Sequence, residues 1–430
     1  MRLTLLAIFS LLFFIATQAQ KQNFNYFKGN YKEMFIEAES FLLYGDYQDA
    51  LHLYRLLSSY IPNNYNLKYR IGLCMLNTPY LKDNAVEAFE SASKVVANTT
   101  KESSLKETRA PMDALFQLGV AYRINNRLDE AIESYKKFIS LADSTLYDKQ
   151  VAWEEIKTCE TAKKMIANPV TVSVENLGMP PNDNMPNINV LISGNDSVMV
   201  YVTKQKFYDA VFIARRKTDG KWGKPVNIIP ELGIDNKCYP TSISYNGDEI
   251  YFYVSIDFGG DIFVSRYFNK RWSLIQKLNK NINTKYWESH AAITSDSKTL
   301  YFTSNREGGQ GGLDIYKSEK DNEGEWGPAV NIGAAINTRF DEQTPFLTDD
   351  GTKLFFSSLG HNSMGGFDIF VSDRNGNNWG QPQNIGYPIN TTDDDLFFFP
   401  IQDGSQGILS VFKREGLGHH DAYIYRFTLP

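Results

Sequence analysis

The sequence predicts a multidomain α + all-β protein, in which an N-terminal α-solenoid is followed by a five-bladed β-propeller. Two observations indicate the division: apolar residues recur with helical spacing up to residue 168 and with strand-like alternation from residue 169. A third observation indicates the propeller, because an Asp followed by apolar residues recurs in steps of 52, 53, 54 and 53 residues. The five copies begin at Asp209, Asp261, Asp314, Asp368 and Asp421.

The composition is that of a globular protein with a sizeable core. The chain has 430 residues, of which 42% are hydrophobic and 22% charged, and this length allows more than one domain. The formal net charge of −6 gives no electrostatic reason to expect nucleic acid or an anionic membrane as a partner.

Residues 1–19 have the pattern of a secretory signal peptide. Arg2 precedes an apolar run from Leu3 to Ala16, and Ala19 is a small residue suited to cleavage. The alternative, a retained anchor, is disfavoured because the run is shorter than the about 20 residues that a spanning helix needs. We therefore expect an exported protein, in the periplasm or at the periplasmic face of the outer membrane, with no membrane-spanning segment after cleavage.

Residues 30–168 contain three copies of a helix-turn-helix pattern. The second helix of each copy carries an alanine and, four residues later, an aromatic side chain, and two of the first helices carry a glycine. These positions are Ala50, Ala85 and Ala131, Tyr54, Phe89 and Tyr135, and Gly72 and Gly119. The pattern resembles tetratricopeptide repeats, which implies a concave face that binds a peptide or protein. The alternative is that the stack only supports its neighbouring domain.

The spacing of these copies predicts one insertion and one capping helix. Ala50 and Ala85 are 35 residues apart, close to one repeat, whereas Ala85 and Ala131 are 46 apart. An inserted loop of about a dozen residues is therefore expected around the polar stretch 98–104. A last amphipathic helix, over residues 148–167, would cap the stack.

Residues 169–430 divide into units of four strands. In the third unit we expect strands at 291–294, 300–304, 314–318 and 326–332, with a glycine-rich loop before the third. The fourth strand of four units begins with a tryptophan: Trp222, Trp272, Trp326 and Trp379. The last unit ends without such a strand, whereas residues 170–177 match one. We therefore predict that residues 170–177 supply the outer strand of the last blade and close the ring.

The stretch 304–316, with Trp326 to Gly333 after it, resembles the WD40-like propeller repeat known as PD40. A signal peptide, tetratricopeptide-like repeats and this propeller together resemble envelope proteins of Bacteroidota, including the peptidoglycan-associated component of the type-nine secretion system. The resemblance implies the fold and a scaffold role. Those relatives usually continue into an OmpA-like domain, which is not found up to Pro430, so the resemblance does not imply peptidoglycan anchoring.

Three carboxylates are candidates for catalysis, because five-bladed propellers also include glycosidases that use paired acids. Glu288, Glu342 and Asp395 each lie eight residues before a repeated turn. An acid and a base need different environments, whereas these residues occupy equivalent positions. We therefore expect them to cap turns or to bond to the next blade, and we expect no enzymatic activity.

Other polar clusters favour structural roles. The triplet 393–395 has oxygen ligands for Ca²⁺ but lies in a crossing loop, and His361, His419 and His420 form no ligand set. Cys74 and Cys159 fall in predicted helices and fit small buried apolar positions, with a bridge between them as the alternative. The tryptophans fit blade packing, with a sugar-stacking platform as the alternative. No cofactor or metal is expected.

Together these features predict a non-enzymatic scaffold or adaptor that binds other envelope proteins through the helical concave face and the propeller faces. Membership of a type-nine secretion or other envelope complex is the finer expectation. The alternative function is a glycan-binding or glycoside-hydrolysing propeller.

Overall fold

A computed structural model describes residues 30–206, 208–234, 237–256 and 259–430, so the predicted signal peptide lies outside the described residues. The chain forms two compact units that divide between Lys157 and Thr158. The predicted fold class is confirmed: a helical unit is followed by a five-bladed β-propeller. Within the described ranges, no helix combines the length and apolarity that crossing a membrane requires.

The helical unit is a series of hairpins. Its helices are α1 Tyr31–Tyr44, α2 Tyr47–Tyr60, α3 Tyr65–Leu76, α4 Ala85–Ala92, α5 Asp113–Ile124, α6 Leu128–Leu141 and α7 Lys149–Ala167, with a 3₁₀ turn at Pro79–Asn84. The Asn64 side chain caps α3 by accepting the Leu67 N–H at 3.0 Å, and Gly45 ends α1 with φ 81°. Polar caps and a left-handed glycine thus set the ends of these helices.

The glycines of the first helices are in contact with the aromatic rings of the second helices. A Cβ atom added to Gly72 would lie 2.6 Å from Phe89, and one added to Gly119 would lie 2.4 Å from Tyr135. Both rings are fully buried, at 0% exposure. Close packing of each helix pair therefore depends on the missing side chain.

The inserted segment between α4 and α5 packs back on the helices. Two short parallel strands, β1 Val96–Ala97 and β2 Ala110–Pro111, pair within it. The Asn64 and Asn66 amides donate to the carbonyls of Leu105 and Glu102, at 3.2 and 2.9 Å. The segment is therefore held against the start of α3.

The propeller consists of five sheets. Blade 1 contains β4 Asn187–Ile192, β5 Val198–Lys204, β6 Asp209–Arg215 and β7 Val226–Asn227, and a short helix α8, Ile229–Leu232, follows it. Blade 2 contains β8 Cys238–Ile243, β9 Glu249–Ile256, β10 Gly259–Phe268, β11 Arg271–Trp272 and β12 Gln276–Lys277. Blade 3 contains β13 Glu288–Ile293, β14 Thr299–Ser304, β15 Asp314–Glu319 and β16 Val330–Asn331. Blade 4 contains β17 Glu342–Leu347, β18 Lys353–Ser358, β19 Asp368–Asn375, β20 Asn378–Trp379 and β21 Gln383–Asn384.

Blade 5 joins the two ends of the propeller. Its strands are β22 Phe399–Ile401, β23 Gln406–Phe412, β24 His420–Phe427 and β3 Val172–Asn176, in that order across the sheet. The antiparallel register places Phe427 opposite Val172 and Tyr423 opposite Asn176. The first strand of the propeller in the sequence thus completes the last blade and leaves no open gap in the ring.

Two strand positions in blade 3 differ from the prediction. The fourth strand was expected over 326–332, but only β16 is paired, and Trp326 forms an isolated bridge with Lys320. Pro328 lacks the N–H that a continuous ladder needs. The first strand begins at Glu288 instead of Ala291, because a bulge between Ser289 and Ala292 breaks the alternation on which the prediction relied.

Candidate functional site

Three of the five repeated aspartates hold the loops before the third strands. In blades 3, 4 and 5, each carboxylate accepts a backbone N–H from four residues earlier: Gln310 to Asp314 at 2.6 Å, Met364 to Asp368 at 2.6 Å and Leu417 to Asp421 at 2.7 Å. In blades 1 and 2 the partners are side chains. Asp209 accepts the Tyr239 hydroxyl at 2.8 Å, and Asp261 lies 2.6 Å from Lys277 Nζ.

A second repeated residue, an asparagine between blades, was missed as a functional position by the sequence reasoning. Its amide oxygen accepts the N–H, and its amide nitrogen donates to the carbonyl, of the residue after the repeated aspartate. The recurrence of Ile-Asn-Thr was the available signal. The four pairs are Asn182 with Ala422, Asn283 with Ile262, Asn337 with Ile315 and Asn390 with Ile369, all at 2.7–2.9 Å.

The rings of the four tryptophans are largely covered by other residues of the protein. Trp272, Trp326 and Trp379 are 6, 5 and 7% exposed, and Trp222 is half-buried. Cationic side chains lie over three of the rings: Arg216 over Trp222 at 4.1 Å, Lys320 over Trp326 at 4.8 Å and Arg374 over Trp379 at 5.8 Å. Tyr301 of blade 3 packs against Trp379 of blade 4 at 6.1 Å. These contacts favour blade packing over a sugar-stacking platform.

The candidate carboxylates occupy one repeated position at the start of the innermost strands. Each accepts the backbone N–H of a threonine four residues earlier: Thr284 to Glu288 at 2.7 Å, Thr338 to Glu342 at 2.6 Å and Thr391 to Asp395 at 2.5 Å. Glu288 and Glu342 are 0% exposed. In blade 1 the position is Asn187, which accepts the Thr203 hydroxyl at 2.8 Å, and in blade 2 it is Cys238.

The environments of these acids differ in charge although their contacts are equivalent. Glu288 lies 3.3 Å from the Arg306 guanidinium, whereas burial raises the pKa of Glu342 to about 7. Burial, together with the charge of Asp368, raises the pKa of the Asp395 carboxyl well above its ordinary value. A pKa near 7 suits a general acid, but the Glu342 oxygens accept from Thr338 and Ser358 and are closed to solvent.

Aromatic rings, rather than carboxylates, meet at the propeller axis. Three innermost strands have a non-glycine residue with positive φ at their bulge, Asn189 at 52°, His290 at 45° and Thr344 at 51°, and Phe397, two residues before β22, has φ 62°. The His290 and Phe397 rings come from non-adjacent blades and their centres lie 6.5 Å apart, so both rings lie near the centre of the propeller. His290 also stacks on Tyr253 at 6.1 Å, and burial lowers its pKa to about 4. No periodic pattern in the sequence indicates these bulges.

The candidate metal ligands take other roles. Asp394 accepts the Phe367 N–H at 3.0 Å, and the Asp393 carbonyl accepts the Gly366 N–H at 3.0 Å. His361 Nε2 lies 2.9 Å from the Ile336 carbonyl, and His419 and His420 both lie beside Phe412. Within the described ranges, no group of three His, Cys, Asp or Glu side chains is placed to hold a metal ion.

The three cysteines, all within the described residues, are buried, and none of them forms a disulfide. The alternative bridge between Cys74 and Cys159 is therefore absent. Burial raises the pKa of the Cys74 and Cys238 thiols to about 12. Both thiols are therefore protonated and act as small apolar side chains.

The helical unit contains a groove of about 520 Å³ between α4 and α6, with α5 as its floor. Leu115, Leu118 and Tyr122 of α5 form the floor, and charged residues of α4 and α6 form the rim. The Tyr122 hydroxyl donates to Glu90 at 2.7 Å, and the Arg127 guanidinium lies 4.3 Å from the Tyr122 ring centre. The sequence predicted binding at the concave face but indicated no particular residues for it. The groove lies between the second helices of successive hairpins.

Comparison with known proteins gives structural neighbours only. No family model matches the chain, and no curated protein matches it. The structure is similar to TolB from Acinetobacter baumannii, with 14% identity, a TM-score of 0.40 and coverage of 57% of this chain and 55% of that one. It is also similar to a putative TolB from Agrobacterium tumefaciens, with 15% identity, a TM-score of 0.34 and coverage of 55% and 73%. The catalytic domain of a Coprinopsis cinerea GH62 α-L-arabinofuranosidase matches at 8% identity and a TM-score of 0.35, with coverage of 59% and 93%. This chain thus spans about half of the Acinetobacter protein.

Proposed function

We propose that this protein is a non-enzymatic scaffold of the bacterial envelope that binds other proteins. The observation that carries the proposal is the structural role of the three candidate carboxylates. Glu288, Glu342 and Asp395 each cap the equivalent turn of their own blade. The two glutamates are 0% exposed, so neither can reach a substrate. The fold therefore uses these acids for its own stability and leaves its exposed surfaces for binding.

The helical groove supports the protein-binding part of the proposal. Its apolar floor is bordered by acidic residues, Glu90, Glu130 and Glu133, and by basic residues, Lys94 and Lys137. An apolar centre with a charged rim is the usual anatomy of a protein interface. An amphipathic segment that places an apolar side chain over Leu118 would fit this groove.

The envelope location rests on the sequence of residues 1–19 and on the resemblance to Bacteroidota envelope proteins. Within that setting, we propose a place in a multiprotein assembly such as a type-nine secretion or other envelope complex. The partners would be other envelope proteins, bound at the helical unit and at the propeller faces.

Site-specific photo-crosslinking in the native envelope tests this proposal. A photo-reactive residue would replace Lys94 or Lys137 at the groove rim, or the exposed Lys32 of α1 as the matched control. We expect both rim positions to crosslink to one partner and the control position to miss it. A lack of crosslinks at both rim positions, or the same products at all three, would contradict the proposal.

A second candidate function is glycan binding, which the aromatic residues near the axis favour. Tyr253 contacts both His290 and Trp287, and Trp287 is 37% exposed. Rings of this kind stack on sugars. Titration with oligosaccharides or peptidoglycan fragments, followed by tryptophan fluorescence, would detect such binding. Saturable binding that Trp287→Ala removes would favour this function over the scaffold.

A further inference from the structure

A basic pocket of about 410 Å³ lies at the outer rim of the propeller, between blades 1 and 2. Five cationic residues and one acidic residue line it, although the whole chain has a net charge of −6. These residues are Arg215, Arg216, Lys217, Lys224 and Lys270, and Glu231. The overall charge therefore conceals a local site with the opposite sign.

Most of this positive charge has no counter-ion in the protein. Glu231 is engaged, because it accepts the Trp272 backbone N–H at 2.7 Å, and Arg216 pairs with Asp196. Across the ranges that the structure describes, Arg215, Lys217, Lys224 and Lys270 take part in no ion pair. Their charges are available to an anionic ligand.

The floor of the pocket orients one of these cations. The Arg215 guanidinium of blade 1 lies 4.0 Å from the centre of the Tyr267 ring of blade 2, and Tyr267 packs against Trp272 at 5.2 Å. Stacking on an aromatic face fixes the plane of a guanidinium and leaves its edge N–H groups free to donate. Arg215 is therefore arranged to bind a carboxylate with two hydrogen bonds.

Two of the cations depart from the blade repeat. The N–H after each tryptophan donates to one carbonyl: Gly223 to Arg215, Ser273 to Arg266, Gly327 to Glu319 and Gly380 to Asp373, at 2.8–2.9 Å. Arg215 thus occupies a position that is also cationic in blade 2, where Arg266 pairs with Glu249, and that is acidic in blades 3 and 4. By the same alignment, Lys217 corresponds to Asp321, and Lys224 corresponds to Leu274, Pro328 and Gln381. Positive charge at the Lys217 and Lys224 positions is therefore not a requirement of the repeat.

An edge strand borders the same pocket. β7 is the last strand in the sheet order of blade 1, and its Val226 is 57% exposed in the pocket lining. The outer edge of such a strand offers backbone groups to an added strand. Unpaired cations beside an open strand edge and an exposed aliphatic side chain match one kind of ligand, an extended peptide that carries carboxylates.

We propose that this pocket binds an acidic segment of a partner protein in extended conformation beside β7. Its carboxylates contact Arg215 and Lys224, and an aliphatic side chain covers Val226. The inference rests on the proposed function, since it names the chemistry of one partner segment. It assigns recognition to an arginine of blade 1 that has no ion pair, unlike Arg266 of blade 2, and to Lys224, which uncharged residues replace in blades 2, 3 and 4.

Fluorescence anisotropy with dye-labelled hexaglutamate tests the proposal on the full-length protein. We expect saturable binding that weakens with added salt and falls about tenfold or more in the R215E/K224E double variant. The K224R variant keeps both charges and the stacked Arg215, and it should bind within about threefold of the wild type. Melting curves would confirm that the variants are folded, since Arg215 and Lys224 are exposed.

The K280E/K298E variant is the matched control, because it makes the same change in net charge at exposed lysines outside the pocket. We expect it to bind hexaglutamate within about twofold of the wild type. Absence of saturable binding to the wild type would overturn the inference. Equal weakening in both double variants, or displacement of hexaglutamate by polygalacturonate at lower concentration, would also overturn it. Persistent crosslinks from Lys94 and Lys137 would then show that the scaffold function stands without this site.

Discussion

Asn182 and Ala422 are 240 positions apart and are joined by two hydrogen bonds: the Ala422 N–H donates to Asn182 Oδ1 at 2.7 Å, and Asn182 Nδ2 donates to the Ala422 carbonyl at 2.8 Å. The same pair of bonds joins Asn337 to Ile315, only 22 positions away. The ring is therefore closed by the same kind of contact that is found between blades 2 and 3, 3 and 4, and 4 and 5. Two chain segments also approach closely beside this contact. A Cβ atom added to Gly418 would lie 1.9 Å from the Met185 carbonyl oxygen.

Asn182→Ala and Asn337→Ala should each lower the free energy of unfolding by about 2–3 kcal/mol, since both leave buried backbone groups unpaired. Asn182 and Asn337 are 0 and 1% exposed, so the two losses are comparable. Hydrogen exchange would separate them. We expect faster exchange in β3 and β24 for Asn182→Ala and in β15 for Asn337→Ala. The same change throughout the propeller in both variants would contradict separate clamps.

Deletion of residues 169–178 should abolish cooperative unfolding of the propeller, because β24 then loses the strand that it pairs with. Urea denaturation followed by near-ultraviolet circular dichroism would measure the transition. A variant with 172–176 replaced by glycine and serine keeps the chain length and separates strand loss from linker loss. A propeller transition unchanged in both variants would show that β3 does not close the ring.

Glu342→Gln should reduce the dependence of stability on pH. The folded pKa of Glu342 is raised from 4.5 to about 7, so the stability linked to this group is complete below pH 4.5 and is lost as the pH rises through 7. The loss is about 3 kcal/mol, at about 1.4 kcal/mol for each unit of pKa. Thermal melts from pH 4 to 8 should show the variant gaining on the wild type as pH rises.

A constant difference between Glu342→Gln and the wild type across that pH range would contradict the raised pKa. Glycosidase activity that this variant removed without changing the melt would contradict the non-enzymatic function. Glu249→Gln is a suitable control, since Glu249 pairs with Arg266 at 2.7 Å and belongs to no turn cap of this kind.

Gly72→Ala should destabilise the helical unit by about 1–3 kcal/mol, because the new methyl group would lie 2.6 Å from the Phe89 ring. The smaller side chain of Phe89→Leu relieves that overlap. In the double variant we expect a coupling energy of about 1 kcal/mol or more in a urea-unfolding cycle. Additive losses would show that the glycine is not needed for this contact.

The fold could be predicted from the sequence because the repeated residues make the same contacts in several blades. Asp314 and its equivalents in blades 4 and 5 hold the same loop, and all five aspartates lie within the first three residues of a third strand, so their spacing indicates the architecture directly. The bulge at His290 recurs at Asn189 and Thr344, but a different residue type occupies each position, so the sequence shows no pattern there, and the first strand of blade 3 was placed three residues late for that reason. Arg215 was overlooked because an exposed arginine is ordinary until its position is aligned with Glu319 and Asp373.

The partner of β3 is the last strand of the propeller. Glu175 of β3 pairs with Arg426 of β24 at 2.8 Å, and 251 positions separate them. During synthesis, β3 is made first among the propeller strands, and the strands of four blades are made before β24. The propeller can therefore be completed only after β24 has been synthesised. Until then β3 lacks its partner strand, and a chaperone that covers this edge would act on the newly made chain during that interval.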